Sequence, residues 1–459
     1  MEGAVSTPSS LGRWTLVASI LGSSMAFIDG SVVNVALKAI EHDLGGGLAS
    51  QQWVVDAYLL TLGSLILVGG SLGDIFGEVR VFGIGVAFFA VASVLCAAAP
   101  DATTLIVFRG VQGVAGALLT PTSLAMLTAT FSGAARGAAI GQWTAWSSIS
   151  FVIGPTLGGW LVDASSWRVI FLINVPIALA TLLLVLRLGG TKQTRRTDLR
   201  VDVPGALLCV SGLGLLVAGF IEQPHLGWSD PLVPGGILGG TALLVAFVVY
   251  ELRAPMPMLP LRLFRLRNFS VTNVETLAVY GALSGLSVFL TLFLLSFSGY
   301  SALRAGVALL PITAVMFFLS PRTGKLSMQY GPRLFMAVGP IVAGASVLAY
   351  ARLPAHPDYV VDILPALLVF AVGLSLTVAP LTTTVLSDAG AGDAGVASGV
   401  NNAVARVAGL LAVAVLGITA AGGADHLTTH GFHVTMVVVA ALLVCGGLIG
   451  AIGIRNPAA

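Results

Sequence analysis

The 459-residue sequence predicts an all-α membrane protein, with fourteen helices crossing a bilayer as two six-helix bundles around an inserted helix pair. Three observations carry that prediction. Hydrophobic residues make up 56% of the chain and charged residues only 9%, far below the roughly 25% charged of a soluble domain. The apolar residues lie in runs of about 20, the length a helix needs to cross the hydrocarbon core, without the alternation of barrel strands. Finally, a short pattern from the first half recurs in the second.

The runs place helices near 14–37, 53–73, 81–99, 104–128, 138–161 and 169–188, then 203–221 and 232–250. Six more follow near 270–296, 304–320, 334–351, 361–382, 396–420 and 432–454. An even number puts both termini on one side. Most basic residues, from Arg13 and Arg80 to Arg333 and Arg455, lie on the odd loops, and Lys38, Arg168, Arg304 and Arg352 lie on the others. The positive-inside rule therefore places both termini in the cytoplasm. The first apolar run contains Asp29 and lacks a small-residue cleavage motif after it, so it is expected to remain as the first membrane helix.

Two linkers divide the chain. The basic stretch Arg187 to Asp202 precedes the inserted pair, and Glu251 to Asn268 follows it with Pro255, Pro257 and Pro260. The alternation Leu261-Arg262-Leu263-Phe264-Arg265 suits either a segment lying on anionic lipid or a solvated connector. Residues 1–188 are expected to form the first bundle, 189–268 the linkers and inserted pair, and 269–459 the second bundle. Gly70-Ser-Leu72 with Gly77 and Arg80 recurs as Gly324-Lys-Leu326 with Gly331 and Arg333, each copy between the second and third helices of its bundle. Parallel six-helix repeats are a transporter architecture whose cargo site lies between the halves.

Within the helices, charge is the rare commodity. Asp29 falls about two thirds of the way along the first, where an ionised carboxylate costs about 2.5 to 3.5 kcal/mol on insertion scales. It is expected either to carry a proton or to be a paired or hydrated group near the outer end. Asp56, a turn into the second helix, has the same two explanations. Arg109 keeps its charge when buried and could hold a nearby carboxylate or snorkel outward; Gln112 follows one turn on. Gly110, Gly113 and Gly116 give that helix a smooth face for a neighbour. Asp74, in Gly70-Ser-Leu-Gly73-Asp74-Ile-Phe-Gly77 before Arg80, is placed after the second helix, where it could cap the next helix and pair with arginine as a conformational gate, or stay solvated. In the fifth helix Ser150, Gly154 and Gly158 are four residues apart, with Pro155 breaking the hydrogen-bond ladder and Gly159 beside it, so a kinked and closely packed helix is expected. Ser398, Asn402 and Arg406 share a face of the thirteenth helix and could join Glu275 of the ninth in a polar network.

The basic residues do not cluster as a nucleic-acid surface requires. Cys96, Cys209 and Cys445 lack paired spacing, and the six histidines fall near the outer face, so no metal role is assigned. Phosphate-loop, zinc-peptidase and nucleophile-elbow motifs are missing, so an enzyme is not expected.

Taken in order, these segments resemble the major facilitator superfamily, and within it the fourteen-helix drug:proton antiporter branch. Phe27-Ile-Asp29-Gly-Ser31-Val-Val-Asn34 resembles that branch's first-helix motif, with Lys38 where proline is usual, and Gln52-Trp53-Val-Val-Asp56-Ala-Tyr58 its second. Gly70 to Arg80 is similar to the superfamily's loop motif, with Ile75, Glu78 and Val79 at often basic positions. Arg109-Gly-Val-Gln112-Gly113 resembles the proton-coupling motif, and Gly154-Pro155-Thr-Leu-Gly158-Gly159 the antiporter motif, with Ser150 at a common glycine position. Trp167-Arg168, Phe171-Leu-Ile-Asn174-Val-Pro176 and Ser398-Gly399-Val-Asn401-Asn402 with Arg406 also fit.

The resemblance implies a monomer in the bacterial cytoplasmic membrane that exports lipophilic, often cationic small molecules by rocking its halves. Protons serve as the coupling ion and no cofactor is needed. Proton and cargo would compete for Asp29, with Asp56 or Glu275 assisting and Arg109 resetting the carboxylate. Export of one metabolite or self-made antibiotic is the alternative cargo, and a non-transporting sensor the alternative class.

Overall fold

In a computed structural model describing residues 10–188, 201–354 and 356–456, every segment expected to cross the membrane is helical. The first group comprises α1 (Ser10–Leu44), α2 (Gly47–Phe76), α3 (Glu78–Ala97), α4 (Ala102–Thr130), α5 (Gly133–Ala164) and the nearly continuous α6 (Val169–Leu172) and α7 (Asn174–Leu188). The inserted pair is α8 (Val203–Leu226) and α9 (Leu232–Glu251). The second group comprises α10 (Arg267–Ser296), α11 (Ala302–Ala308), α12 (Leu310–Tyr330), α13 (Pro332–Val347), α14 (Leu364–Ala421) and α15 (Thr429–Gly453). Among the described residues thirteen helices are long and apolar enough to span a bilayer; α5, 32 residues long, occupies the remaining expected span.

Local chemistry sets the ends. Gly45 and Gly46, at φ 74° and 98°, turn α1 into α2. Asp101 starts α4 by accepting from the Thr104 backbone N–H at 2.8 Å, and Asp202 starts α8 by accepting from that of Gly205 at 2.9 Å, each filling an orphan donor of a first turn. The tenth expected span splits at Leu309 into α11 and α12 because Pro311 at the start of α12 supplies no N–H.

The repeated pattern is a repeated joint. Only Gly77 separates α2 from α3, at φ 96° and ψ 131°, and only Gly331 separates α12 from α13, at φ 84° and ψ 148°. Both values lie where a Cβ is strongly disfavoured. Asp74 consequently differs from expectation: α2 continues through Phe76, which puts Gly70, Gly73 and Asp74 inside its last turns. The residue preceding α3 is Gly77, with no side-chain cap.

The twelfth and thirteenth spans also join, as helix continues through 364–421. Val385 and Ala397 nevertheless lie in one cluster with Phe269, although twelve residues of straight helix span about 18 Å. The chain therefore reverses between them, and the two arms run antiparallel.

Leu263 is buried in that same cluster, so the Leu261–Arg265 turn packs its leucine face on the second bundle rather than on lipid, leaving Arg262 and Arg265 exposed. Of the first linker, 189–200 lie outside the described residues. Within the pair, α8 and α9 pack on one another through Gly212, Gly219, Gly236 and Gly240, and α8 lies against both α2 and α14.

Burial divides the molecule by depth, with outer and inner named by the sidedness that the loop charges predict. In the outer half one apolar cluster draws Val32, Ile40, Leu48 and Phe171 from the first bundle together with Phe289, Phe293, Tyr350 and Phe370 from the second. In the inner half Met25, Phe82, Phe89, Leu119 and Met126 form a cluster within the first bundle, while Met336, Leu381 and Ile454 form one within the second. Hydrogen bonds tie the bundles in the outer half. Asp163 accepts from the backbone N–H groups of Ala302 at 3.0 Å and Leu303 at 2.9 Å, Lys38 donates to the Leu295 carbonyl at 2.5 Å, and Gln52 donates to that of Val413 at 2.6 Å.

Candidate functional site

The costliest residues of the first bundle converge on one buried point. Asp29 from α1, Arg109 and Gln112 from α4, Ser93 from α3 and Asn174 from α7 are each at most 1% exposed. An Asp29 carboxylate oxygen accepts from the Arg109 guanidinium. The other accepts from Gln112 at 2.8 Å and Asn174 at 3.2 Å. Arg109 also donates to Gln112 Oε1 at 2.6 Å and, through Nε, to the Val54 carbonyl at 3.0 Å. Its guanidinium lies 4.4 Å from the Tyr58 ring centroid. Ser93 Oγ accepts from Gln112 at 2.9 Å and Asn174 at 3.3 Å.

Such density answers an energetic problem. A buried ion pair is tolerable only when its remaining donors and acceptors are also matched, and removing one partner costs about 3 to 5 kcal/mol. Close helix approach makes the matching possible. A Cβ on Gly113 would lie 2.3 Å from the Tyr58 carbonyl oxygen, and one on Gly116 would lie 3.3 Å from the Tyr58 hydroxyl. The glycine face of α4 therefore seats on α2, bringing Val54 and Tyr58 to Arg109.

The other acids stand apart. Asp56 is fully buried, and neither of its oxygens has a hydrogen-bond partner among the described residues. Gln52 and Gly63, four residues before and seven after it, both meet α14, so Asp56 lies on the α2 face at the seam between bundles. Glu275 is likewise buried without a partner, but between α10 and α15, where a Cβ on Gly450 would lie 2.8 Å from Glu275 Oε2. Neither contacts Asp29.

The expected network around Asn402 takes another form. Asn402 donates to the Ser398 carbonyl of its own helix at 3.0 Å. Its neighbour Asn401 reaches across to Thr276 at 2.8 Å and Asn273 at 3.2 Å. Glu275 is absent from this set, and Arg406 lies in the seam with its guanidinium 5.3 Å from the Phe27 ring centroid.

Small residues of α5 press on α1 of its own bundle and on α11 of the other. A Cβ on Gly154 or Gly158 would come within 2.1 Å of Ser31 Oγ or Val32 Cγ2 on α1. One on Gly159 would come within 2.4 Å of the Ala302 carbonyl oxygen on α11, and Gly306 returns the contact against the Pro155 carbonyl. Helix continues through Pro155. Beside this joint a groove of about 500 Å3 lined by Ile153, Thr156, Leu157, Trp160, Leu303 and Leu310 is almost wholly apolar. It offers no charge and lies apart from the acids.

At the repeated joint, a Cβ on Gly73 would come within 2.9 Å of Thr122 Cγ2, while Gly70 has room. Gly77 is needed for its backbone and Arg80 is exposed. Asn174 and Ser93 are the site's additions. Asn174 stood within a recognised motif, but nothing in the spacing joined it to Asp29, and Ser93 gave no signal.

Comparison with known proteins agrees with this geometry. The sequence description of the Major Facilitator Superfamily matches residues 19–413. The puromycin resistance protein pur8 of Streptomyces alboniger is 34% identical over 94% of this chain and 89% of its own length. The tetracenomycin C resistance and export protein of Streptomyces glaucescens is 34% identical over 91% and 78% respectively. Among solved structures, the peptide transporter POT in complex with sulfate superposes with a TM-score of 0.72 at 15% identity, covering 98% of this chain and 95% of that one; it shares the fold alone. With helices, repeated joint and sequence match in agreement along most of its length, this chain belongs to the Major Facilitator Superfamily and is a multi-pass membrane transporter.

Proposed function

We propose that this transporter exports lipophilic antibiotic-like compounds across a bacterial cytoplasmic membrane in exchange for protons, and that Asp29 is the proton's station. The observation that carries this is the sealed Asp29–Arg109 pair, in which one carboxylate holds a permanently charged arginine and two amides in place. Protonation of Asp29 removes the charge that Arg109 answers. The arginine then turns to other acceptors, and the packing of α1 against α4 changes with it. A proton moving inward gains about 2.3 kcal/mol per 100 mV of potential, before any pH gradient. That alone falls short of the about 3 to 5 kcal/mol that removing one partner of a buried pair costs, so the pH gradient must supply the remainder.

Direct competition between proton and cargo at Asp29 fits the geometry less well. At about 100° per residue, Phe27 and Asp29 lie on nearly opposite sides of α1. Phe27 faces Arg406 across the seam, whereas Asp29 faces the interior of its own bundle. Coupling then runs through α1 and Tyr58 rather than through a shared site. The named roles of pur8 in puromycin resistance and of the Streptomyces glaucescens protein in tetracenomycin C export support the cargo class.

A susceptibility screen in an efflux-deficient bacterial host, with wild type and Asp29→Asn expressed to equal levels, tests the reading. Wild type is expected to raise the tolerated concentration of some lipophilic antibiotics and Asp29→Asn to return it to the empty-vector level. Equal protection by both would remove Asp29 from the mechanism.

A further inference from the structure

We propose that Arg406 is the docking point for a negatively charged group on the cargo, so that this transporter accepts lipophilic organic anions such as carboxylates, enolates or phenolates. The inference rests on the export reading for the site's purpose; the site's charge stands independently of it.

Arg406 lies on α14 where the bundles meet. Its Cβ is 3.1 Å from where a Cβ on Gly63 of α2 would stand, and its guanidinium lies over Phe27 of α1. Among the described residues the guanidinium has no hydrogen-bond partner and no ion pair with a carboxylate. Arginine carries five N–H donors and does not shed its proton. Held inside a membrane protein, such a group is normally paired.

The remaining seam charge points the same way. Asp29 is answered by Arg109, and Asp56 is fully buried two helical turns outward of Gly63. Arg406 is half-buried. The charge the seam presents to an incoming molecule is therefore positive. A guanidinium reads planar oxyanions through paired N–H bonds, and the half-buried Phe27 and Tyr280 offer ring surfaces for a flat apolar body. A lipophilic cation would meet repulsion at the same point, so the cationic cargo implied by the family resemblance does not fit this seam.

The test uses the purified full chain in nanodiscs with two probes built on one ring system: fluorescein, an anion, and a rhodamine ester, a cation. Fluorescence anisotropy is expected to show wild type binding fluorescein at least tenfold more tightly than the rhodamine ester. Arg406→Gln is expected to weaken fluorescein binding at least tenfold and Arg406→Lys to retain most of it, with thermal unfolding reporting whether each variant is folded. A wild type that prefers the rhodamine ester or binds neither probe overturns the proposal, as does a folded Arg406→Gln that binds fluorescein normally. The wild-type preference decides the matter even if Arg406→Gln does not fold. Fluorescein uptake into energised everted vesicles separates the two levels. Binding without uptake leaves the anion site standing and contradicts export.

Discussion

Arg109 shows how a single side chain can be both structural and functional. Its donors serve Asp29, Gln112 and the Val54 carbonyl, and its face lies against Tyr58. Arg109→Gln leaves the Asp29 carboxylate buried without its counter-charge, so a loss of about 3 to 5 kcal/mol is expected. Thermal unfolding of the purified protein checks it, and the combined Asp29→Asn, Arg109→Gln variant is expected to recover part of the loss. A double variant no more stable than Arg109→Gln would mean that the pair contributes little. Asp29 and Arg109 were legible in the sequence because a charge inside an apolar run is conspicuous. Asn174 and Ser93 were not linked to them, since their meeting depends on the rotation of α7 and α3, which periodicity leaves open when helices are apolar nearly all round. The same ambiguity of one position put Asn402 where Asn401 makes the cross-helix bonds.

At the scale of helices, glycine spacing decides how close neighbours come. On α5, Gly158 meets Val32 so tightly that any side chain forces the helices apart. Gly158→Val is expected to cost about 1 to 3 kcal/mol by overpacking, seen as a lower unfolding midpoint, whereas the same change at Gly137, with nothing within 4 Å, is expected to lack that overpacking loss. Equal losses at both positions would show that packing against α1 is not the cause. The four-residue spacing of Ser150, Gly154 and Gly158 announced this contact without naming α1 as the partner. Loop chemistry was harder to read. The Gly70–Arg80 pattern looked like a loop because glycines punctuate it, yet only Gly77 leaves helical geometry, with 70–76 in α2 and 78–80 in α3.

For the whole molecule, the outer half shares one apolar cluster and several inter-bundle hydrogen bonds, while two inner-half clusters each belong to one bundle and a third, around Phe269, meets the first bundle at Leu67. Opening outward must break the Asp163 bonds to Ala302 and Leu303. Asp163→Ala is therefore expected to raise, by several-fold, the labelling rate of a cysteine placed at Asn34 by a membrane-impermeant maleimide added from outside. An unchanged rate would show that this joint does not hold the outer side closed. The six-two-six plan was readable because membrane spans are set by length and hydropathy. The pairing of bundles across the seam was not, because it depends on side-chain contacts between segments hundreds of residues apart, such as Gln52 with Val413.

The most direct measurement is proton movement itself. In proteoliposomes holding a pH-sensitive dye, with a compound that the wild type expels from cells loaded on one side, adding a proton gradient should drive export and dissipate that gradient faster than in empty liposomes. With Asp29→Asn, both export and the cargo-dependent proton flux are expected to disappear together. Cargo-dependent proton flux through Asp29→Asn at the wild-type rate would contradict the claim that Asp29 carries the proton.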